Sequence, residues 1–119
     1  MGENKDVFVF AEKKTIVRIY SEDIVFVESD GHYNVIYTKD GQSHRTRSTM
    51  TSFFEKVGTD AVKRVHRAFA VNLSFVHKVK GGKIYLQTKG QTVPLSRTYK
   101  EDFLEEFMSF KGRKALSGL

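Results

Sequence analysis

Two short segments of this 119-residue chain gather side chains suited to gripping an anionic partner. Lys63-Arg64-Val65-His66-Arg67 runs through Ala68-Phe69-Ala70 to Val71-Asn72, and Leu95-Ser96-Arg97-Thr98-Tyr99 places a further arginine between a strand-like and a helix-like stretch. A guanidinium holds five N–H donors in a fixed fork and can bind two acceptors at once. Strand alternation over 63–72 puts Val65, Phe69 and Val71 on a buried side, and Arg67 shares that parity. An unpaired guanidinium is not buried, so the chain must bend or bulge near Arg67 and aim it outward. That geometry suits recognition; it equally fits an edge bulge whose Arg67 meets a surface carboxylate. Arg97, at a strand–helix junction, can reach a groove while exposed helix amides beside it meet a phosphate. A plain solvated arginine is the simpler reading. His32, in Asp30-Gly31-His32, is a donor that a turn would present.

Catalysis finds no comparable constellation. His32, His44, His66 and His77 lack metal-ligand spacing, and the chain has no cysteine to complete a zinc site, a disulfide or a thiol nucleophile. Gly81-Gly82-Lys83 is not followed by the hydroxyl residue and helix of a phosphate-binding loop. Glu105 and Glu106 are adjacent on a helix and diverge, and no nucleophile elbow is present. The expectation is a protein that is not an enzyme, with no catalytic residue, metal or cofactor.

The elements that must position the arginines are mostly strands. Residues 7–10, 15–20 and 24–28 are rich in β-branched and aromatic side chains. Tyr33, Val35 and Tyr37 alternate with Asn34, Ile36 and Thr38, Asp40-Gly41 signals a two-residue hairpin, and 43–47 returns with Arg45 and Arg47 on one face. Gly81-Gly82 marks another hairpin between 75–80 and 83–88, and 92–95 follows with Pro94 at a strand end or edge. The spacing predicts a small mostly β core rather than a βαβ fold. Two short helices interrupt it. Met50, Phe53, Phe54 and Val57 form one stripe, capped by Ser48 or Thr49 and ended by Gly58. The other helix follows Thr98, with Glu101 at capping-box spacing; Tyr99, Phe103, Phe107 and Phe110 line its buried face beside Leu104 and Met108. Glu101, Asp102, Glu105 and Glu106 occupy the opposite face, which a phosphate backbone would repel.

The formal charge is +6. Residues 111–119 hold three cations and no acid, and residues 1–6 carry a net −1, leaving +4 on 7–110. This excess is modest, and distribution rather than total must direct it to a polyanion. No run is apolar enough to span a bilayer, no apolar leader is visible, and Asp6 stands where a myristoylation motif after Met1-Gly2 needs Ser or Thr. A cytoplasmic location is expected. The expected organisation is a tail at 1–6, one domain at 7–110 and a basic tail at 111–119.

Arg64-Val65-His66-Arg67 with Val71-Asn72, then Leu95-Ser96-Arg97 and Tyr99, resemble the LytTR family, DNA-binding output domains of many bacterial response regulators. Ile24-Val25-Phe26-Val27-Glu28-Ser29 with His32-Tyr33 fits the same family's opening strand and loop, and the resemblance runs from about residue 8 to residue 108. It implies an elongated, mostly β fold of small antiparallel sheets with two short helices, whose loops enter neighbouring major grooves from one face of a duplex. Carried over by position, His32, Arg67 and Arg97 would read bases, His32 and Arg97 in the major groove and Arg67 approaching the duplex between them. Arg45, Arg47, Lys63, Arg64, Lys78 and Lys80 would contact phosphates, while His66 and Asn72 would be structural. Ala68 departs from the family's usual serine and removes a hydroxyl there.

The resulting expectation is sequence-specific binding of double-stranded DNA in transcriptional regulation, as the output domain of a two-component response regulator. Paired direct repeats and a homodimer on DNA are the implied assembly; the receiver domain and sensor kinase are not in this chain, and no membrane partner is expected. The rival is a non-catalytic protein-interaction or single-stranded nucleic-acid-binding β module, in which exposed Tyr33 or Tyr85 would stack on bases. Strand parity places Tyr33 inside and leaves Tyr85 open.

Overall fold

Ten strands and two helices form three antiparallel sheets in the computed structural model, which describes residues 7–57, 61–88 and 90–110. Strands β1 (Val7–Glu12) and β2 (Thr15–Tyr20) pair as a hairpin. The central sheet has the order β5-β4-β3-β7-β6, from β3 (Ile24–Asp30), β4 (Tyr33–Thr38), β5 (Ser43–Arg47), β6 (Val62–His66) and β7 (Phe69–Asn72). The third sheet is β10-β9-β8, from β8 (Val76–Lys80), β9 (Lys83–Leu86) and β10 (Thr92–Pro94). Helix α1 covers Met50–Val57 and helix α2 Arg97–Ser109. The tails at 1–6 and 111–119 and the helix stop expected at Gly58 lie outside the described residues.

Alternation along β3, β4 and β7 gives the central sheet two apolar faces, each buried by a different cover. On one face Ile24, Val27, Ile36 and Ala70 pack with Met50 and Phe53 of α1 and Ile19 of β2. On the other, Phe26, Val65 and Val71 pack with Ile84, Val93 and Leu95 and with Phe103 of α2. Thr49 caps α1 by accepting the Ser52 amide at 3.0 Å. Pro94 ends β10, an edge strand, where its missing donor leaves no ladder bond unmade.

Several sequence expectations are corrected. Residues 63–72 are not one bent strand but two, β6 and β7, joined by the two-residue turn Arg67-Ala68, with a register shift between Arg64 and His66. The β4–β5 connection spans Lys39–Gln42 rather than two residues. Thr38 N–H reaches the Gln42 carbonyl at 3.0 Å, and Gly41, at φ +85°, supplies the left-handed residue such a longer turn requires. The Asp40 carboxyl accepts from the Thr38 hydroxyl (2.6 Å) and the Gln42 amide (3.2 Å), which hold it below the ordinary aspartate range. Helix α2 starts at Arg97, with Ser96 as its N-cap, so Thr98 and Glu101 form no capping box. Met108 is 82% exposed rather than beside the buried stripe, because five residues after Phe103 a helix has turned about 140°.

The parity of β4 is also inverted. Asn34 and Ile36 are fully buried, whereas Tyr33 is half-buried on the opposite face. Asn34 donates from Nδ2 to the Ser48 carbonyl (3.0 Å) and hydroxyl (3.1 Å), tying β4 to the lead-in of α1.

Asn72 closes the far end of the central sheet. Its buried amide donates to the carbonyls of Ile24 (2.8 Å) and Ser21 (3.3 Å) and accepts from the Ser74 amide (2.9 Å). Replacing Asn72 with Ala removes the bonds to the Ile24 and Ser21 carbonyls and the acceptor of the Ser74 amide, and is expected to cost about 1–3 kcal/mol, read from the urea midpoint. A loss no larger than that of an exposed substitution would contradict this bracing role.

Candidate nucleic-acid interface

Three main-chain hydrogen bonds bring three turns and the start of α2 together along one end of the molecule. The β3–β4 turn, Gly31-His32, sits between paired Asp30 and Tyr33; Gly31 has φ +64°, which a side chain there would resist, and His32 is exposed. Just before it, the Ser29 amide donates to the Ala68 carbonyl at 2.7 Å and brings in the turn bearing exposed Arg67. The Ser96 amide donates to the Val65 carbonyl at 2.9 Å, setting the start of α2 and exposed Arg97 against β6. The Leu95 amide donates to the Gly82 carbonyl at 3.0 Å and adds the β8–β9 turn, flanked by paired, exposed Lys80 and Lys83. Arg47, opposite Tyr33 in the β4–β5 register, extends the row on its other side. Two strand spacings, about 10 Å, separate the His32 turn from the Arg67 turn.

The Arg67 turn contains no glycine, and neighbouring side chains shape it instead. His66 Nδ1 accepts the Ala68 amide at 3.1 Å, and the His66 ring meets Phe69 edge-on at 5.6 Å. Arg64 donates from Nη2 to the Arg67 carbonyl at 2.6 Å and from Nε to the His66 carbonyl at 3.4 Å. Its guanidinium carbon lies 5.9 Å from the centroid of Tyr99.

The six basic residues expected on phosphates separate into different surroundings. Arg47 and Lys80 stand exposed along the row. Arg45 pairs with Asp30 at 2.7 Å and covers the Tyr33 ring at 4.9 Å, with Arg47 also 5.9 Å from that ring. Lys78 lies 5.1 Å from the Tyr85 ring. Lys63 turns to α2, its Nζ 3.6 Å from Glu106. Arg64 is engaged by the turn and Tyr99 rather than extended to solvent. Sequence reasoning did not anticipate Lys83, although its place beside Gly81-Gly82 was visible. On the sheet face behind the row, burial and then the carboxylates of Glu28 and Asp30 push the Tyr37 hydroxyl above the ordinary tyrosine range, so it stays protonated and bonds Glu28.

The acids of α2 keep away from the basic row. Glu101, Asp102, Glu105 and Glu106 are exposed beyond the helix start, whereas the N-terminal end presents Arg97 and first-turn amides that Ser96 does not cap with its side chain. That end favours an anion through its dipole. Among the described residues no group of His, Asp or Glu could hold a metal ion, and no helix is long and apolar enough to cross a membrane.

The β scaffold lines up short basic turns and the start of α2 along one end of the molecule. The chain belongs to the LytTr DNA-binding domain family, whose model matches residues 14–108. It is thereby a DNA-binding domain of transcription regulation. The structure is similar to a solved LytTr DNA-binding domain from Bacillus cereus, described as part of a methyl-accepting/DNA response regulator. The TM-score is 0.70 at 16% identity, covering 90% of this chain and 100% of that one, a likeness of fold. No curated protein matches the chain.

Proposed function

We propose that this domain binds double-stranded DNA in a sequence-specific manner as the output domain of a two-component response regulator in the cytoplasm. The observation that carries the reading is the placement of His32 and Arg67 on two turns, and of Arg97 at the start of α2, along one end of the molecule. Arg97 and His32 read base edges in the major groove, and Arg67, approaching the duplex between them, reads bases as well. Arg forks onto guanine O6 and N7, which makes Arg97 the strongest single reader. Arg47 and Lys80 contact phosphates, fixing register without reading sequence. Paired direct repeats occupied by two copies, under control of a receiver domain and its kinase, complete the proposal.

The single-strand alternative draws less support. Tyr33 and Tyr85, the rings it would need, each already have a cation over the ring.

Selection of random duplexes on the purified domain tests the reading. The domain is expected to enrich a motif, and Arg97→Ala to lose one position of it with about 1–3 kcal/mol on the preferred duplex. Lys80→Ala should weaken all duplexes evenly and lower the salt slope by roughly one. Equal loss on preferred and random DNA in Arg97→Ala would remove it as a base reader. Competition by unstructured single strands equal to that by duplex would favour the alternative.

A further inference from the structure

Arg64 occupies a place that phosphate binding does not explain. One planar group touches both supports of the proposed readers. It bonds the carbonyl oxygens of His66 and Arg67, and so holds the peptide planes of the turn that presents Arg67. The same guanidinium faces the Tyr99 ring, two residues beyond Arg97 in the first turn of α2. Next to it, the Ser96 amide binds the Val65 carbonyl.

We infer that Arg64 is a positioning residue that fixes the spacing of Arg67 and Arg97, and thereby which base steps the two read together. This rests on the DNA-readout reading above. The geometry needs a guanidinium specifically. Its separate N–H groups serve two carbonyls while its plane lies near an aromatic ring; a lysine ammonium brings the same charge but neither the fork nor the plane. His66 supports the arrangement from the other side by accepting the Ala68 amide. A phosphate contact, by contrast, would need only the charge.

Three variants of the full chain separate these roles: Arg64→Lys keeps the charge, Arg64→Met keeps much of the stem, and Tyr99→Leu removes the ring without touching the turn. Each is compared with Arg67→Ala and Arg97→Ala by random-duplex selection and by salt titration on preferred and random duplexes. Positioning predicts that Arg64→Lys blurs the motif at both base positions lost singly in the two alanine variants. Its affinity for the preferred duplex falls about tenfold or more, with random-duplex affinity and salt slope unchanged. Tyr99→Leu blurs the Arg97 position in the same way. The inference is overturned if Arg64→Lys and Tyr99→Leu keep the wild-type motif. It is equally overturned if Arg64→Met weakens every duplex alike with a slope smaller by about one, the signature of a phosphate contact. A wild-type chain that enriches no motif overturns base readout itself, an outcome distinct from variants that leave a wild-type motif intact.

Discussion

A variant carrying both Arg67→Ala and Arg97→Ala is expected to bind the preferred duplex more weakly than either single variant, but by less than the roughly 2–6 kcal/mol that two independent forked arginine–base pairs at about 1–3 kcal/mol each would give. Anisotropy titration at one fixed salt concentration measures the loss, with a random duplex as reference. On random DNA the fall should be much smaller, since Arg47, Lys80 and Lys83 stay exposed along the same end and, on the proposed reading, remain to neutralise phosphates. The two single losses should not sum to the double loss. Val65 and Ser96 join the supports of the two arginines by a 2.9 Å main-chain bond, so disturbing one reader shifts the other. A double variant that weakens both duplexes equally would show that the two arginines serve as charges alone.

What the sequence discloses about this arrangement follows from how local each determinant is. Runs of β-branched residues and glycine turns are local, so the strands, the Gly81-Gly82 hairpin and the α1 stripe were legible, and the mostly β class with them. The inverted parity of β4 was not. An asparagine is buried there because Ser48, on a later segment, supplies its acceptors, and a tyrosine lies outward because Arg45 and Arg47 flank its ring. The Arg67-Ala68 reversal lacks turn residues of its own. Its stability resides in His66, which the family resemblance marks as structural, and in Arg64, whose type suggested a phosphate contact. Arg67, Arg97 and His32 stood out by type and spacing, and the family resemblance implied roles for them. Their meeting on one end depends on Ser29 with Ala68, Val65 with Ser96 and Gly82 with Leu95, bonds between main-chain groups that no side-chain pattern announces. Charge also misleads at this level: Lys63 and Arg64 read as surface cations, yet Glu106 and the Arg67 carbonyl hold them.

Phe103→Ala is expected to cost about 3–5 kcal/mol of stability, a large share of the roughly 5–15 kcal/mol that holds a domain of this size together. Phe103 is 1% exposed, packs with the apolar residues joining α2 to the central and third sheets, and stacks on Phe107 with ring centroids 5.8 Å apart. Truncation would leave a void bounded by rigid strands that cannot close around it. Thermal unfolding should show a fall of roughly 12–20 °C, whereas Met108→Ala, on the exposed side of the same helix, should stay within about 0.5 kcal/mol of wild type. The contrast matters because α2 has two duties. Its apolar face anchors it to the sheets, and its first residue is Arg97. A helix loosened by Phe103→Ala therefore carries Arg97 away from the row, and recognition of the preferred duplex should fail at temperatures where β3, β4 and the His32 turn remain folded. Equal costs for Phe103→Ala and Met108→Ala would mean that α2 does not dock through this face, and Arg97 would lose the support that places it beside Arg67.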